Sequence, residues 1–188
     1  METWPNDVRI VFKHNALPFH KRALPAAIAS MAAHKQGKFW EYHDQMFANQ
    51  RKLEDTDLEG YATAVGLDMA KWKADLKDAD IEKKIKEDMD FASTVNARGT
   101  PNFFINGRNV RGAVPYESFE TVIKEEIEKA KKLVAAGTPR DAVYAQIIAN
   151  GKTFEPLDPK VNTFSDVDSP FLGNPKGDIV IVEASDFQ

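Results

Sequence analysis

Three features of the sequence predict an α/β fold. A β-branched run starts almost at the first residue, a long helical stretch follows it, and further apolar runs of strand character lie near 103–105 and 179–182. Val8-Arg-Ile10-Val-Phe12-Lys-His14 alternates in part and is expected to be the first strand, ended by Asn15-Ala-Leu-Pro18. From about Lys21 to Asn96 apolar residues recur three and four apart. Leu24, Ile28 and Met31 mark one helical face, and Phe39, Trp40, His43, Met46 and Phe47 a second. Leu58, Tyr61, Ala62 and Val65 mark a third, and Ile81, Ile85, Met89 and Ala92 a fourth.

Gly99-Thr-Pro101-Asn-Phe103-Phe104-Ile105-Asn106-Gly107 predicts a strand ending in a tight turn, because Asn-Gly adopts positive φ at little cost. Val110 to Val114 is the expected returning strand. Pro115 opens a long helix carrying Phe119, Val122, Ile123, Ile127, Ala130 and Val134, which stops at Gly137. A shorter helix follows Thr138-Pro139, with Tyr144, Ile147 and Ile148 on its buried side. The expected domain is therefore 1–150, with a helical insertion over about 21–96. Residues 151–177, with Pro156, Pro159, Pro170 and Pro175, have linker composition, and 178–188 supplies a last strand.

The 188 residues suit one ordinary domain, and 43 % apolar with 29 % charged residues is normal for a globular chain. A net charge of −4 gives no electrostatic case for nucleic acid or an anionic membrane surface. No apolar run approaches the roughly 18 residues of a membrane span. The N-terminal Met1-Glu-Thr-Trp-Pro5 lacks the basic and apolar regions of a signal peptide. The chain has no cysteine, which removes disulfides, thiolate catalysis and thiolate metal sites from its own chemistry.

His14, His20, His34 and His43 form no i, i+4 pair, so structural roles are expected and no metal site or cofactor. The Phe39/Trp40/Met46/Phe47 cluster is expected to be core in preference to a ligand pocket. The many acidic residues, as in Lys83-Lys84-Ile85-Lys86-Glu87-Asp88, read as solvated helix faces. Ser185-Asp186 suggests no triad, since no motif ties a histidine to it.

Four separated blocks carry a resemblance: Lys13-His-Asn-Ala-Leu-Pro18-Phe-His20, Gln36-Gly-Lys-Phe-Trp40-Glu-Tyr-His43-Asp44, Gly99-Thr-Pro101-Asn-Phe-Phe-Ile-Asn-Gly107 and Ser185-Asp-Phe-Gln188. Together they resemble the DsbA-like thioredoxin-fold family of thiol–disulfide oxidoreductases. The resemblance implies a thioredoxin-like mixed sheet with a large helical insertion, its first strand supplied here by the C-terminal segment 178–187. In the family that strand comes first and leads into a Cys-x-x-Cys helix, which is missing here. Two explanations fit: a segment of a tandem array of such modules, favoured by the linker composition and abrupt ends, or a circularly permuted unit that has left redox chemistry. The strand is expected to pair centrally, in its own chain or by domain swap into a neighbour.

The resemblance also implies that Thr100-Pro101 is a substrate-binding loop, with a cis proline and a preceding residue that offers its backbone to an extended polypeptide. On residues alone, a trans proline opening a strand is the commoner state of such a bond. No catalytic residue is expected in this chain, so the module is expected to be redox-inactive as it stands. A non-catalytic polypeptide-binding or scaffold module, or a structural unit among tandem neighbours, are the alternatives. The resemblance implies an extracytoplasmic place, such as a periplasm, where disulfides persist.

Overall fold

The computed structural model describes residues 3–149, 169–177 and 179–185. Five strands and seven helices follow in the order β1 (Val8–His14), α1 (Ala23–His34), α2 (Phe39–Ala48), α3 (Asp55–Ala64), α4 (Met69–Asp75), α5 (Ala79–Thr94), β2 (Asn102–Ile105), β3 (Arg108–Arg111), α6 (Tyr116–Ala135), α7 (Arg140–Ala149), β4 (Phe171–Gly173) and β5 (Ile179–Ser185). The chain divides into two units: Met1–Phe12 with Gly99–Ala184, and Lys13–Arg98 with Ser185–Gln188.

The first unit holds a five-stranded mixed sheet in the order β3-β2-β5-β1-β4. The C-terminal strand β5 thus lies centrally, between β2 and β1. Its run of Val180, Ile181 and Val182 is buried, as suits a strand with neighbours at both edges. Against β2 it runs antiparallel, with Asn102 opposite Ala184 and Ile105 opposite Ile181. β2 and β3 form a hairpin in which Ile105 faces Arg108. The turn residues Asn106 and Gly107 have φ of 48° and 82°, the geometry that Asn-Gly accepts. Asn106 also reaches across to β5. Its N–H donates to the Val180 carbonyl (3.0 Å), and its Oδ1 accepts the Val180 N–H (2.9 Å).

The returning strand is Arg108–Arg111, not the expected Val110–Val114. Pairing begins directly after a two-residue turn, and it ends where Gly112, at φ 75°, turns its N–H to the Pro101 carbonyl (2.9 Å). Phe171–Gly173, inside the stretch expected to be linker, forms the edge strand β4, which pairs antiparallel with β1 through Ile10 and Leu172. The remainder of that stretch, 151–168, lies outside the described residues. Ile105, Ile181, Val8 and Val110 pack with Val122, Ile123 and Ile127 of α6 and Val143 of α7. This burial of an amphipathic helix on one sheet face is the main stabilising term of the unit.

The second unit is helical and centred on α1, which packs against α2, α3, α4 and α5. Six alanines of α1 (Ala23, Ala26, Ala27, Ala29, Ala32 and Ala33) are buried, and their small side chains let four neighbours approach closely. Two polar tips fix the packing. Tyr42 Oη donates to the Leu58 carbonyl (2.9 Å), and Trp72 Nε1 donates to the Ala29 carbonyl (3.1 Å). Asp68 caps α4 by accepting the N–H groups of Ala70 and Lys71, and Asp78 caps α5 through Asp80. As expected, Phe39 and Met46 are core residues, with Trp40 and Phe47 half-buried at their side.

Candidate functional site

β2 is paired at both edges, and its ladder ends at Asn102. Thr100 and Pro101 lie just before it, half-buried, at the end of the sheet. Their peptide bond is cis. Behind the loop sits a small polar network. Asn109 Nδ2 donates to Asn102 Oδ1 and to the Phe103 carbonyl (3.3 Å), and Arg111 Nε donates to Asn109 Oδ1 (3.1 Å). With the Gly112 to Pro101 bond, these contacts anchor the loop from the β3 side. The arrangement fixes the backbone of the loop at the end of β2.

In the helical unit, Lys13, His14 and Asp88 form a buried polar group that the sequence did not reveal. Asp88 was expected on a solvated face, yet it is 3 % exposed. Its Oδ1 accepts from Lys13 Nζ (3.1 Å), its Oδ2 accepts the His14 N–H (3.3 Å), and Lys84 Nζ lies at 3.7 Å. Burial pulls Lys13 below the usual lysine range, opposed by the Asp88 charge. Burial, reinforced by the Lys13 charge, pulls His14 down to about 3. The available signal was a lysine and a histidine closing an apolar strand.

In the sheet unit, Glu183 of β5 stands opposite Phe103. Its burial raises it to about 7. Its signal was likewise a lone charge in an apolar run. Glu126 of α6 also departs from the solvated-face expectation. It is 1 % exposed and accepts from Arg108 Nη1 (3.2 Å) and Lys129 Nζ (2.5 Å).

His43 sits among aromatic rings, 4.4 Å from Phe47 and 5.2 Å from Trp40 between centroids. Burial lowers it, against the pull of Asp44. Among the described residues, no group of three His, Cys, Asp or Glu side chains is placed to hold a metal ion. Among them too, no helix is long and apolar enough to cross a membrane.

The profile of the DSBA-like thioredoxin domain matches residues 1–124. The chain belongs to that family. Its relatives include an Na(+)/H(+) antiporter NhaA 1 of Salinispora arenicola, 38 % identical over 118 residues, which cover 62 % of this chain and 18 % of the antiporter. The Na(+)/H(+) antiporter NhaA of Herminiimonas arsenicoxydans is 37 % identical over 119 residues, 63 % of this chain and 19 % of that protein. An NhaA 3 of Salinispora tropica is 35 % identical over 135 residues, 71 % of this chain and 21 % of that protein. The chain therefore spans about a fifth of the length of these relatives.

Proposed function

We propose that this chain is a DsbA-like module that retains a polypeptide-gripping loop and, having no thiol of its own, is redox-silent by itself. The observation that carries this reading is the pairing of family membership with 188 residues that include no cysteine. Thiol–disulfide exchange needs a thiolate to attack a disulfide sulfur and form a mixed disulfide. No group in this chain supplies that nucleophile. What remains is the Thr100-Pro101 loop at the end of β2, proposed to hold extended polypeptide through its backbone in an extracytoplasmic setting.

Two assays test this on the whole chain. Reduction of insulin by dithiothreitol should proceed at the uncatalysed rate in its presence, and faster reduction overturns the redox-silent reading. Fluorescent, unfolded polypeptide should bind, and Pro101→Ala should weaken that binding about tenfold while the far-UV spectrum is kept. Absence of binding, or binding indifferent to Pro101→Ala, shifts the reading to a spacer or a strand-swapping unit, which concentration-dependent oligomers would reveal.

A second reading is favoured by the antiporter relatives. This module then belongs to a longer polypeptide that also carries an ion antiporter, and the loop grips segments of that same assembly. An antibody to residues 1–149 should in that case detect a membrane-bound band several times longer than 188 residues. A soluble band of this chain's own length would remove this reading.

A further inference from the structure

We propose that the side-chain amide of Asn102 is a further polypeptide-binding group of the Thr100-Pro101 loop, donating through Nδ2 to a main-chain carbonyl of the bound chain. Asn109 and Arg111 are its positioning residues. This deepens the reading of the loop as a polypeptide grip and rests on it. Asn102 directly follows Pro101 and lies opposite Arg111 across the β2–β3 ladder, while Asn109 lies opposite Phe104. Side chains alternate along a strand, so Asn102, Asn109 and Arg111 share the sheet face away from the core that Ile105 and Val110 form with α6.

The three side chains form a relay of fixed polarity. A guanidinium only donates, so the Asn109 atom that meets Arg111 Nε (3.1 Å) is Oδ1. The other end of that amide is then Nδ2, which donates to the Phe103 carbonyl (3.3 Å) and to Asn102 Oδ1. A carbonyl only accepts, so Arg111 and Phe103 independently impose the same orientation on Asn109. With its oxygen engaged by Asn109, Asn102 is left with Nδ2 as its outgoing group. That donor meets no acceptor among the described residues, although Asn102 is only 3 % exposed. A buried amide donor costs free energy until an acceptor reaches it. Pro101 beside it has no N–H, and its carbonyl accepts from Gly112 (2.9 Å). The Asn102 amide therefore supplies the donor that the proline cannot. The relay selects an acceptor, such as a peptide carbonyl, over an N–H.

The experiment titrates the whole chain into fluorescein-labelled, carboxymethylated α-lactalbumin, an unfolded polypeptide, and reads the anisotropy of the label. Asn102→Ser withdraws the donor and should weaken binding about fivefold. The decisive pair is at Asn109. Asn109→Asp keeps an acceptor for Arg111 but turns the Asn102 amide over, so that an oxygen faces the bound chain. Asn109→Ala leaves the Asn102 amide able to take either orientation. Asn109→Asp should therefore be the more stable of the two in urea and yet the weaker binder, about tenfold below the parent against about threefold for Asn109→Ala. A merely structural role makes the two orders agree, and that result overturns the proposal. A readout that needs no variant is the nuclear magnetic resonance of the parent. Its Asn102 Nδ2 protons should move downfield on titration with the unlabelled polypeptide, and unmoved protons overturn the proposal. If the parent binds and Pro101→Ala weakens it while the Asn102 and Asn109 variants bind as the parent does, the proposal falls and the loop reading stands. If the parent does not bind at all, both fall.

Discussion

The sheet unit and the helical unit each bury a carboxylate, and each compensates it differently. Glu126 in the sheet unit is matched by two cations that stay in touch with solvent, Arg108 at 22 % and Lys129 at 55 % side-chain exposure. Asp88 in the helical unit is matched chiefly by Lys13, whose side chain is itself 5 % exposed. A cation that keeps one side in water gives up little hydration to make its pair. A cation buried with its partner gives up most of it and relies on that partner to remain charged. The same side-chain chemistry is thus an inexpensive clasp in one unit and an obligate pair in the other.

The units also differ in how far along the chain their contacts reach. The helical unit is assembled from neighbours in sequence, α1 to α5, whereas the sheet unit draws its central strand from the far end of the chain. Removing residues 169–188 should therefore have the largest effect. With β5 gone, β1 and β2 each lose a partner along an inner edge and expose rows of unpaired backbone groups. Loss of a cooperative urea transition is expected, with most of the helical far-UV signal kept. A truncated chain as stable as the parent would erase the contrast between the units.

Next in size is the difference between the two carboxylates. Asp88→Asn strands a buried lysine and should cost about 3–5 kcal/mol in urea unfolding. Glu126→Gln leaves both cations able to turn to water and should cost about 1 kcal/mol. Equal costs would show that partner exposure is not what separates the two sites. Asp88→Leu combined with Lys13→Met should recover most of the loss, because a well-packed apolar pair needs no hydration.

The most gradual effect, spread over several pH units, is a pair of opposite pH slopes. His14 is held at about 3 by burial and by Lys13, so the folded state keeps it neutral while the unfolded chain takes up a proton below about 6.5. Its contribution is complete above that value and is lost as pH falls toward 3, by about 1.4 kcal/mol per pH unit. Glu183 is held at about 7 by burial, so the folded state keeps a proton that the unfolded chain releases above about 4.5. Its contribution is complete below about 4.5 and is lost as pH rises through about 7, with a similar slope. Unfolding midpoints of His14→Gln and Glu183→Gln against the parent, taken across this range, should diverge toward acid for the first and toward neutrality for the second. A constant offset in either series would mean that the group does not titrate differently on folding.

Much of this architecture was legible in the sequence, for definable reasons. Helices α1 to α3, α5 and α6 announce themselves because their apolar spacing is local, and the Asn106-Gly107 turn because its backbone demand falls on two residue types. The central place of β5 followed from the resemblance and from its unbroken apolar run. What escaped is non-local. Asp88 and Glu126 sit in charge patterns that look solvated, and only the elements packed over them remove the water. β4 escaped because three residues between prolines and glycines carry no periodicity. At the candidate site, Thr100-Pro101 was legible only through the family pattern. Lys13 and Glu183 escaped because a single charge in an apolar strand does not say whether it points to water or to a partner.

Asn106 has a further meaning for the lifetime of the molecule. Asn-Gly is the dipeptide most prone to lose ammonia, through attack of the following peptide nitrogen on the side-chain carbonyl. Here that carbonyl is held by the Val180 N–H, and the residue is 1 % exposed. The folded sheet therefore shields its own most perishable peptide unit, and the shield fails whenever β5 lets go. Deamidation at Asn106 becomes a chemical clock that runs only while the sheet is open.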